Sequence, residues 1–242
     1  MRLDVFLADN SLVDSRTDAK NFILAGNVTV DGKVIKKAAY DVVGNENIVV
    51  DKSTKRFASR GGLKLEAALD RFEIDPTGLV CLDVGASSGG FTDCLLQRGA
   101  SHVFAVDSGS GQMIQRLRED SRVTVIENFN ARYMSYQDFD KIPYLAVMDV
   151  SFISAKLILP AVYSVLASNG NFVCLIKPQF EVGRSGLNKK GIVKNDSLRK
   201  SCVNDVLEFA KVIGFEAIGL IESPILGGDG NIEYLAFFKK GE

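Results

Sequence analysis

The stretch Leu79-Val80-Cys81-Leu82-Asp83-Val84-Gly85-Ala86-Ser87-Ser88-Gly89-Gly90-Phe91-Thr92-Asp93 limits the folds open to this chain more than any other. Four apolar residues in a row, Leu79 to Leu82, suit a parallel strand covered on both faces. The glycines at 85, 89 and 90 then allow a tight turn and a close backbone approach to a ligand. A helix follows, with its free N–H groups aimed at the turn. Asp83 lies at the carboxyl end of the strand, where open α/β sheets bind their ligands. A tight turn without a ligand is the plain alternative.

The glycine spacing bears on the ligand. A dinucleotide fingerprint is G-x-G-x-x-G. Here the pattern is D-x-G-x-x-x-G-G-F, with Ser87 in place of the second glycine. The next apolar run, Val103-Phe104-Ala105-Val106, ends in Asp107, whose carboxylate can accept both hydroxyls of a ribose. A nucleoside ligand without a pyrophosphate fits better than a dinucleotide, and S-adenosylmethionine is such a ligand.

From residue 64 onward, strand and helix patterns alternate. Strands are expected at 79–83, 102–107, 123–126, 144–149, 171–177, 215–221 and 232–238. Helices are expected at 90–98, near 112–119, around 155–168 with Pro160 in the first turns, and at 197–213. Alternation of this kind requires a mostly parallel sheet covered by helices. Only Pro224 to Gly230 separates the last two strands, so they are expected to pair antiparallel at one side. The fold class is therefore α/β, a seven-stranded sheet whose layout resembles that of the Rossmann-like methyltransferases, with a small N-terminal α+β domain.

That N-terminal domain spans 1–56, with a linker expected at 57–63 and the larger domain at 64–242. Leu3, Phe6, Leu7 and Leu12 mark a short amphipathic helix. Ser15-Arg16-Thr17-Asp18 offers an N-cap to a second helix that Gly26 ends. Val28-Thr29-Val30, Asp31-Gly32 and Lys33-Val34-Ile35 read as a hairpin, and Asn47 to Val50 as a further strand.

Composition excludes several classes. No apolar run approaches a membrane span, and the N-terminus lacks the apolar core of a signal peptide. Cys81, Cys94, Cys174 and Cys202 are scattered, and His102 is the single histidine, so neither a zinc site nor Ser-His hydrolysis is expected. No metal, no membrane and a reduced cytoplasmic setting are the expectation. The net charge of −1 hides two basic stretches. Residues 52–71 carry Lys52, Lys55, Arg56, Arg60, Lys64 and Arg71, and residues 184–200 carry Arg184, Lys189, Lys190, Lys194, Arg199 and Lys200. Such runs are commonly solvated faces, but two of them also suit a phosphate-binding surface.

Four polar residues stand at element ends around the expected crevice: Lys64 at a helix entry, Asp149 and Lys177 after apolar runs, and Glu233 at the start of the last strand. In this order they resemble the K-D-K-E tetrad of the FtsJ-like ribose 2′-O-methyltransferases. Added to this are Ser59-Arg60-Gly61-Gly62-Leu63-Lys64-Leu65, the glycine turn, Asp149-Val150-Ser151-Phe152-Ile153-Ser154 and Lys177-Pro178-Gln179-Phe180-Glu181. Together they are similar to the TlyA family over essentially the whole chain. Ser88 and Gly228 depart from that family's expected threonine and alanine. The N-terminal segment, with Arg2-Leu3-Asp4, Ser15 to Ala19 and Ile23 to Gly32, resembles the αL RNA-binding module of ribosomal protein S-four type. A small protein-docking domain is the alternative for this part.

The resemblance implies an S-adenosylmethionine-dependent ribosomal RNA 2′-O-methyltransferase with ribosomal RNA or ribosomal subunits as partner. It places Lys64, Asp149, Lys177 and Glu233 in catalysis. Lys177 would be the base or proton-orienting group with Lys64 nearby, and Asp149 and Glu233 would hold the two lysines. Cofactor contacts are expected from Asp83, Gly85, Ala86, Ser87, Gly89, Gly90 and Phe91, and ribose contacts from Asp107. Asn128 or Asn130 would meet the adenine edge, although a helix-capping loop accounts equally well for Asn130-Ala131-Arg132-Tyr133. RNA contacts are expected from Arg2, Arg16, Lys20, Arg60, Arg184, Lys189 and Lys190. The rival readings are a non-catalytic RNA-binding or ribosome-assembly protein on this fold, and a membrane-active hemolysin.

Overall fold

A computed structural model describes residues 1–51, 56–227 and 230–241. The chain forms two compact units, Met1–Arg56 and Phe57–Glu242.

In the first unit, α1 (Leu3–Asp9) and α2 (Arg16–Ala25) accompany a three-stranded sheet in the order β2-β1-β3. Ser15 caps α2 by accepting from Asp18 N at 3.1 Å, and Gly26 ends the helix at φ 82°. β1 (Val28–Val30) and β2 (Lys33–Val34) form the hairpin, with Asp31 and Gly32 both at positive φ, as its Asp-Gly turn requires. β3 (Ile48–Val50) pairs antiparallel with β1. Leu3, Leu7, Ala19, Phe22, Ile23, Val28 and Val30 make its core.

The larger unit holds a seven-stranded sheet in the order β6-β5-β4-β7-β8-β10-β9. β4 (Val80–Val84), β5 (His102–Val106), β6 (Val123–Ile126), β7 (Leu145–Met148) and β8 (Asn171–Ile176) run parallel. β10 (Tyr234–Lys240) lies antiparallel between β8 and β9 (Phe215–Glu222). Alternate residues of each central strand face opposite cores. Leu82, Val84, Phe104 and Val106 pack with α6 (Leu159–Val165) and α8 (Asp196–Ile213). Cys81, Val103, Ala105, Val147 and Leu175 pack with α3 (Gly61–Arg71) and α4 (Gly90–Gln97).

Several boundaries differ from the sequence expectation. Residues 57–63 are not a free linker. Phe57 and Ala58 are buried, Ala58 N donates to Asp93 Oδ2 at 2.6 Å, and Gly61–Leu63 form the first turn of α3. The helix expected near 112–119 shrinks to α5 (Gln115–Arg118), because the glycine-containing approach is held as a loop by Gly111 N donating to Glu127 at 2.9 Å. The helix expected at 155–168 splits into a 3₁₀ turn, Ala155–Leu157, and α6, with Pro160 in the first turn of α6. α7 (Pro178–Glu181) was not foreseen; the proline supplies its first turn. β10 begins at Tyr234, so Glu233 precedes it.

Candidate active site

The parallel strands end together, and their carboxyl ends carry the polar residues singled out above. Asp83 is fully buried. Thr92 Oγ1 donates to its Oδ2 at 2.6 Å, while Oδ1 has no hydrogen-bond partner among the described residues. Burial pushes this carboxyl up to about 7, with the charges of Asp149 and Asp107 adding to the effect and the Thr92 bond opposing it. A buried carboxylate oxygen without a partner is costly unless a donor reaches it.

The turn after β4 brings backbone close to backbone. Gly85 adopts φ 85°, and a Cβ there would overlap the Asp149 carbonyl, so only glycine fits. Asp107 braces this turn from the next strand. Its Oδ2 accepts from Ser87 N at 2.8 Å and its Oδ1 from Gly109 N at 2.7 Å. The second lone pair of each oxygen stays open.

These elements wall a cleft of about 390 Å³. Gly85, Ser87, Asp107, Asn130, Asp149 and Ser151 are among its lining residues. Asp83, Ala86, Gly89, Gly90 and Phe91, expected to meet the cofactor, are buried at the strand end, the turn and the start of α4 and do not line it, and Lys177 reaches the cleft only through Asp149 and Ser151, which do. Of the two asparagines, Asn130 lines the cleft, while Asn128 is exposed outside it. Asn130 also caps the 3₁₀ turn Ala131–Tyr133, accepting from Arg132 N at 3.2 Å, so the capping and cleft roles coexist in one side chain.

The four tetrad residues form two pairs. Lys64 Nζ donates to Glu233 Oε2 at 2.6 Å, with the two residues 8% and 2% exposed. Gln179 Nε2 donates to the other Glu233 oxygen at 2.9 Å. The β10–β8 register, Tyr234 opposite Ile176, explains this neighbourhood: extended by one step, it sets Glu233 beside Lys177. Lys177 Nζ lies 2.6 Å from Asp149 Oδ1 and donates to Ser151 Oγ at 2.7 Å. The partners of Lys177 are thus a carboxylate and a hydroxyl, and Lys64 is bonded to Glu233, which the register sets beside Lys177.

Sequence reasoning gave no role to Thr92, Asp93, Ser151, Gln179 or Glu181. Asp93 is 1% exposed and accepts from Ala58 N, Arg116 and Gln97, tying residues 57–58 to α4. Glu181 accepts from Ser154 Oγ at 2.6 Å and Ala155 N at 2.7 Å. The available signal was membership of the Leu79–Asp93, Asp149–Ser154 and Lys177–Glu181 runs.

The basic residues divide between the two units. In the first, Arg2 and Arg16 are exposed but already committed in part. Both donate to Asp4, which is fully buried, at 2.9 to 3.1 Å. The Arg2 bonds, and then those of Arg16, hold Asp4 at about 2 against the cost of burial. Lys20 is exposed on α2. In the larger unit, Arg60, Arg184, Lys189 and Lys190 are exposed. Buried Asn231 steadies the loop that carries the last two, accepting from Val193 N at 3.1 Å and donating to Gly191 O at 3.0 Å. Lys52, Lys55 and Gly228 lie outside the described residues. Among the described residues no helix is long and apolar enough to cross a membrane.

A seven-stranded sheet with this strand order and a polar cleft at its carboxyl edge defines a Rossmann-like methyltransferase. Residues 57–240 match the FtsJ-like methyltransferase family and residues 1–48 the S4 domain; the chain belongs to the FtsJ-like methyltransferases. It is 43% identical over 239 residues to hemolysin A of Brachyspira hyodysenteriae, covering 98% of this chain and 99% of that protein. It is 40% identical over 239 residues to the 16S/23S rRNA (cytidine-2'-O)-methyltransferase TlyA of Mycobacterium tuberculosis, covering 98% and 89%. A solved structure of a hemolysin-designated protein from Streptococcus thermophilus superposes with a TM-score of 0.81 at 41% identity, covering 100% of this chain and 89% of that one.

Proposed function

We propose that this protein transfers a methyl group from S-adenosylmethionine to a ribose 2′-hydroxyl of ribosomal RNA, at cytidine as in the Mycobacterium tuberculosis relative's name. The observation that carries this reading is that Asp149 and Ser151, the two partners of Lys177, line the same cleft as Gly85 and Asp107.

The residues fit the cofactor. Gly85 clears the path of the methionine end, while Asp83, fully buried and off the cleft lining, holds the strand end through Thr92. Ser87 lies on the same wall, the open lone pairs of Asp107 suit the ribose hydroxyls, and Asn130 suits the adenine edge. Ala86, Gly89, Gly90 and Phe91 act by shaping the turn. When bound, the cofactor supplies an electrophilic sulfonium methyl.

A ribose hydroxyl is a weak nucleophile, so its proton must leave as the oxygen attacks. Lys177 takes or orients that proton, and Asp149 holds the Lys177 nitrogen at the cleft. Lys64 and Glu233, being buried, fix the wall behind. Placement of the hydroxyl against the methyl supplies most of the acceleration. Arg2, Arg16 and Lys20 of the N-terminal module, with Arg60, Arg184, Lys189 and Lys190, contact the RNA backbone.

The test is single-turnover transfer of labelled methyl to ribosomal subunits from cells lacking the gene, followed by mapping of ribose methylation. Label at a cytidine 2′-oxygen is expected. Label on a base, or none on either subunit, overturns the reading.

A further inference from the structure

We infer that Ser151 is a positioning residue for Lys177, and that Glu181 holds the loop carrying Ser151 in place; this rests on the proposed methyl transfer. Lys177 Nζ has two polar contacts, beside the Phe180 ring 6.0 Å away, and they restrain it differently. Asp149 Oδ1 lies 2.6 Å away but has no partner in hydrogen-bond geometry among the described residues, so that attraction is Coulombic and largely non-directional. The bond to Ser151 Oγ, 2.7 Å long, is the directional one. An ammonium or amine on a four-carbon stem has many rotamers, and one charge leaves several of them open. A second, directional contact selects the orientation in which the remaining Nζ valences face the cleft that Ser151 itself lines.

The loop has features of a segment held for this purpose. The residue after Ser151, Phe152, has φ 63° and is 90% exposed. A bulky aromatic in left-handed backbone is strained, and persists only where its surroundings impose it. The constraints lie on either side of it. Before it, Ser151 is bound to Lys177; after it, Ser154 Oγ and Ala155 N both bind Glu181. Lys177 and Glu181 bracket the one-turn α7, so both ends of the strained loop are tied to the same short segment. The Phe152 ring packs on Phe180 of that segment, centroids 5.2 Å apart.

The experiment compares wild type, Ser151→Ala and Ser151→Thr in the full chain. Single-turnover methylation of ribosomal subunits is measured together with cofactor affinity by titration calorimetry. Loss of one hydrogen bond to a charged group predicts a rate for Ser151→Ala lower by about 10- to 100-fold. Cofactor affinity is expected within about threefold of wild type, since Asp83, Gly85 and Asp107 are untouched, and threonine should restore most of the rate because it returns the hydroxyl. Glu181→Gln keeps the shape but weakens the carboxylate bonds, and should lower the rate in the same direction. A near-wild-type rate for Ser151→Ala overturns the inference. So does a rate loss matched by an equal loss of cofactor affinity, which would make Ser151 a cofactor contact instead, or failure of threonine to restore the rate. Absence of transfer by the wild type would instead overturn the proposed function.

Discussion

Glu233→Gln probes the buried half of the site, and its cost can be worked from the contacts. Glu233 serves two donors with two oxygens, Lys64 Nζ at 2.6 Å and Gln179 Nε2 at 2.9 Å. Glutamine keeps the shape but offers one acceptor and one NH₂ group. With its oxygen toward Lys64, its nitrogen faces Gln179 Nε2, donor against donor. Gln179 can relieve this by turning its amide over, since its own Oε1 is buried without a partner among the described residues. Nε2 then takes over that partnerless position. Either way one buried donor loses its acceptor, at about 1–3 kcal/mol, and Lys64 keeps its charge without a counter-charge. Removing one partner of a buried ion pair costs about 3–5 kcal/mol. Glutamine still accepts from Lys64, so the expected loss is about 2–4 kcal/mol, a fall in Tm of about 5–15 °C for a unit of this size. Calorimetric melting reads this directly, and titration with cofactor should show affinity within about threefold, because Glu233 does not line the cleft. A stability loss below about 0.5 kcal/mol would refute the pairing of Lys64 with Glu233 in solution.

Lys177→Arg keeps the charge but cannot give up a proton at working pH, so cofactor affinity should persist while single-turnover rate falls about 10²–10⁴-fold; near-wild-type turnover would exclude proton removal by Lys177. Asp83, at about 7 against an ordinary value near 4, binds a proton in the folded state that the unfolded chain has released, so its contribution to stability declines as pH rises through that range. Melting from pH 5 to 8 should therefore favour Asp83→Asn over wild type increasingly up to about pH 7 and level off above it; parallel curves would contradict this. Asp4 is the reverse case, held at about 2, so it stabilises the N-terminal unit above pH 4 and the benefit fades as pH falls toward 2. Its arginine partners are about half exposed, so solvent screening limits the benefit to about 1 kcal/mol, which a wild-type against Asp4→Asn acid titration measures. Deleting 1–56 should leave cofactor affinity intact and weaken binding to ribosomal subunits, with a flatter salt dependence in a filter-binding assay; unchanged subunit affinity would remove the module from recognition.

Much of the fold was legible because its signals are local. Ser15 and Gly26 bound α2, Asp31-Gly32 makes the hairpin, and continuous apolar runs mark the buried parallel strands. The four residues were legible from their places near element ends together with the resemblance of their order to the K-D-K-E tetrad; Lys64, expected at a helix entry, lies one turn inside α3. What did not show was anything set by contacts far apart in the chain. The division of the tetrad into two pairs depends on the register of β10 against β8, which joins residues about 60 apart. The packing of Phe57 and Ala58 depends on Asp93, a charge that reads as surface in a helix's first turn yet is buried among Ala58, Arg116 and Gln97. Asp107 reads as a free ribose acceptor, but its first duty is to the turn's own N–H groups.

The two pairs are joined by a single short segment. Between Lys177 and Glu181, four side chains each hold a different part of the site. Lys177 reaches Asp149 and Ser151, Gln179 reaches Glu233, Phe180 meets Phe152, and Glu181 binds Ser154 and Ala155. A helix of four residues has no stability of its own, and Pro178 contributes only a preset φ at its start. α7 therefore takes its shape from these contacts while it supplies their anchor points, so its order and the order of the site are the same property. A lesion at Glu181 or Gln179, neither of which lines the cleft, should then be felt at Lys177, whereas an equally buried lesion in α8 should cost stability and leave the geometry of transfer intact.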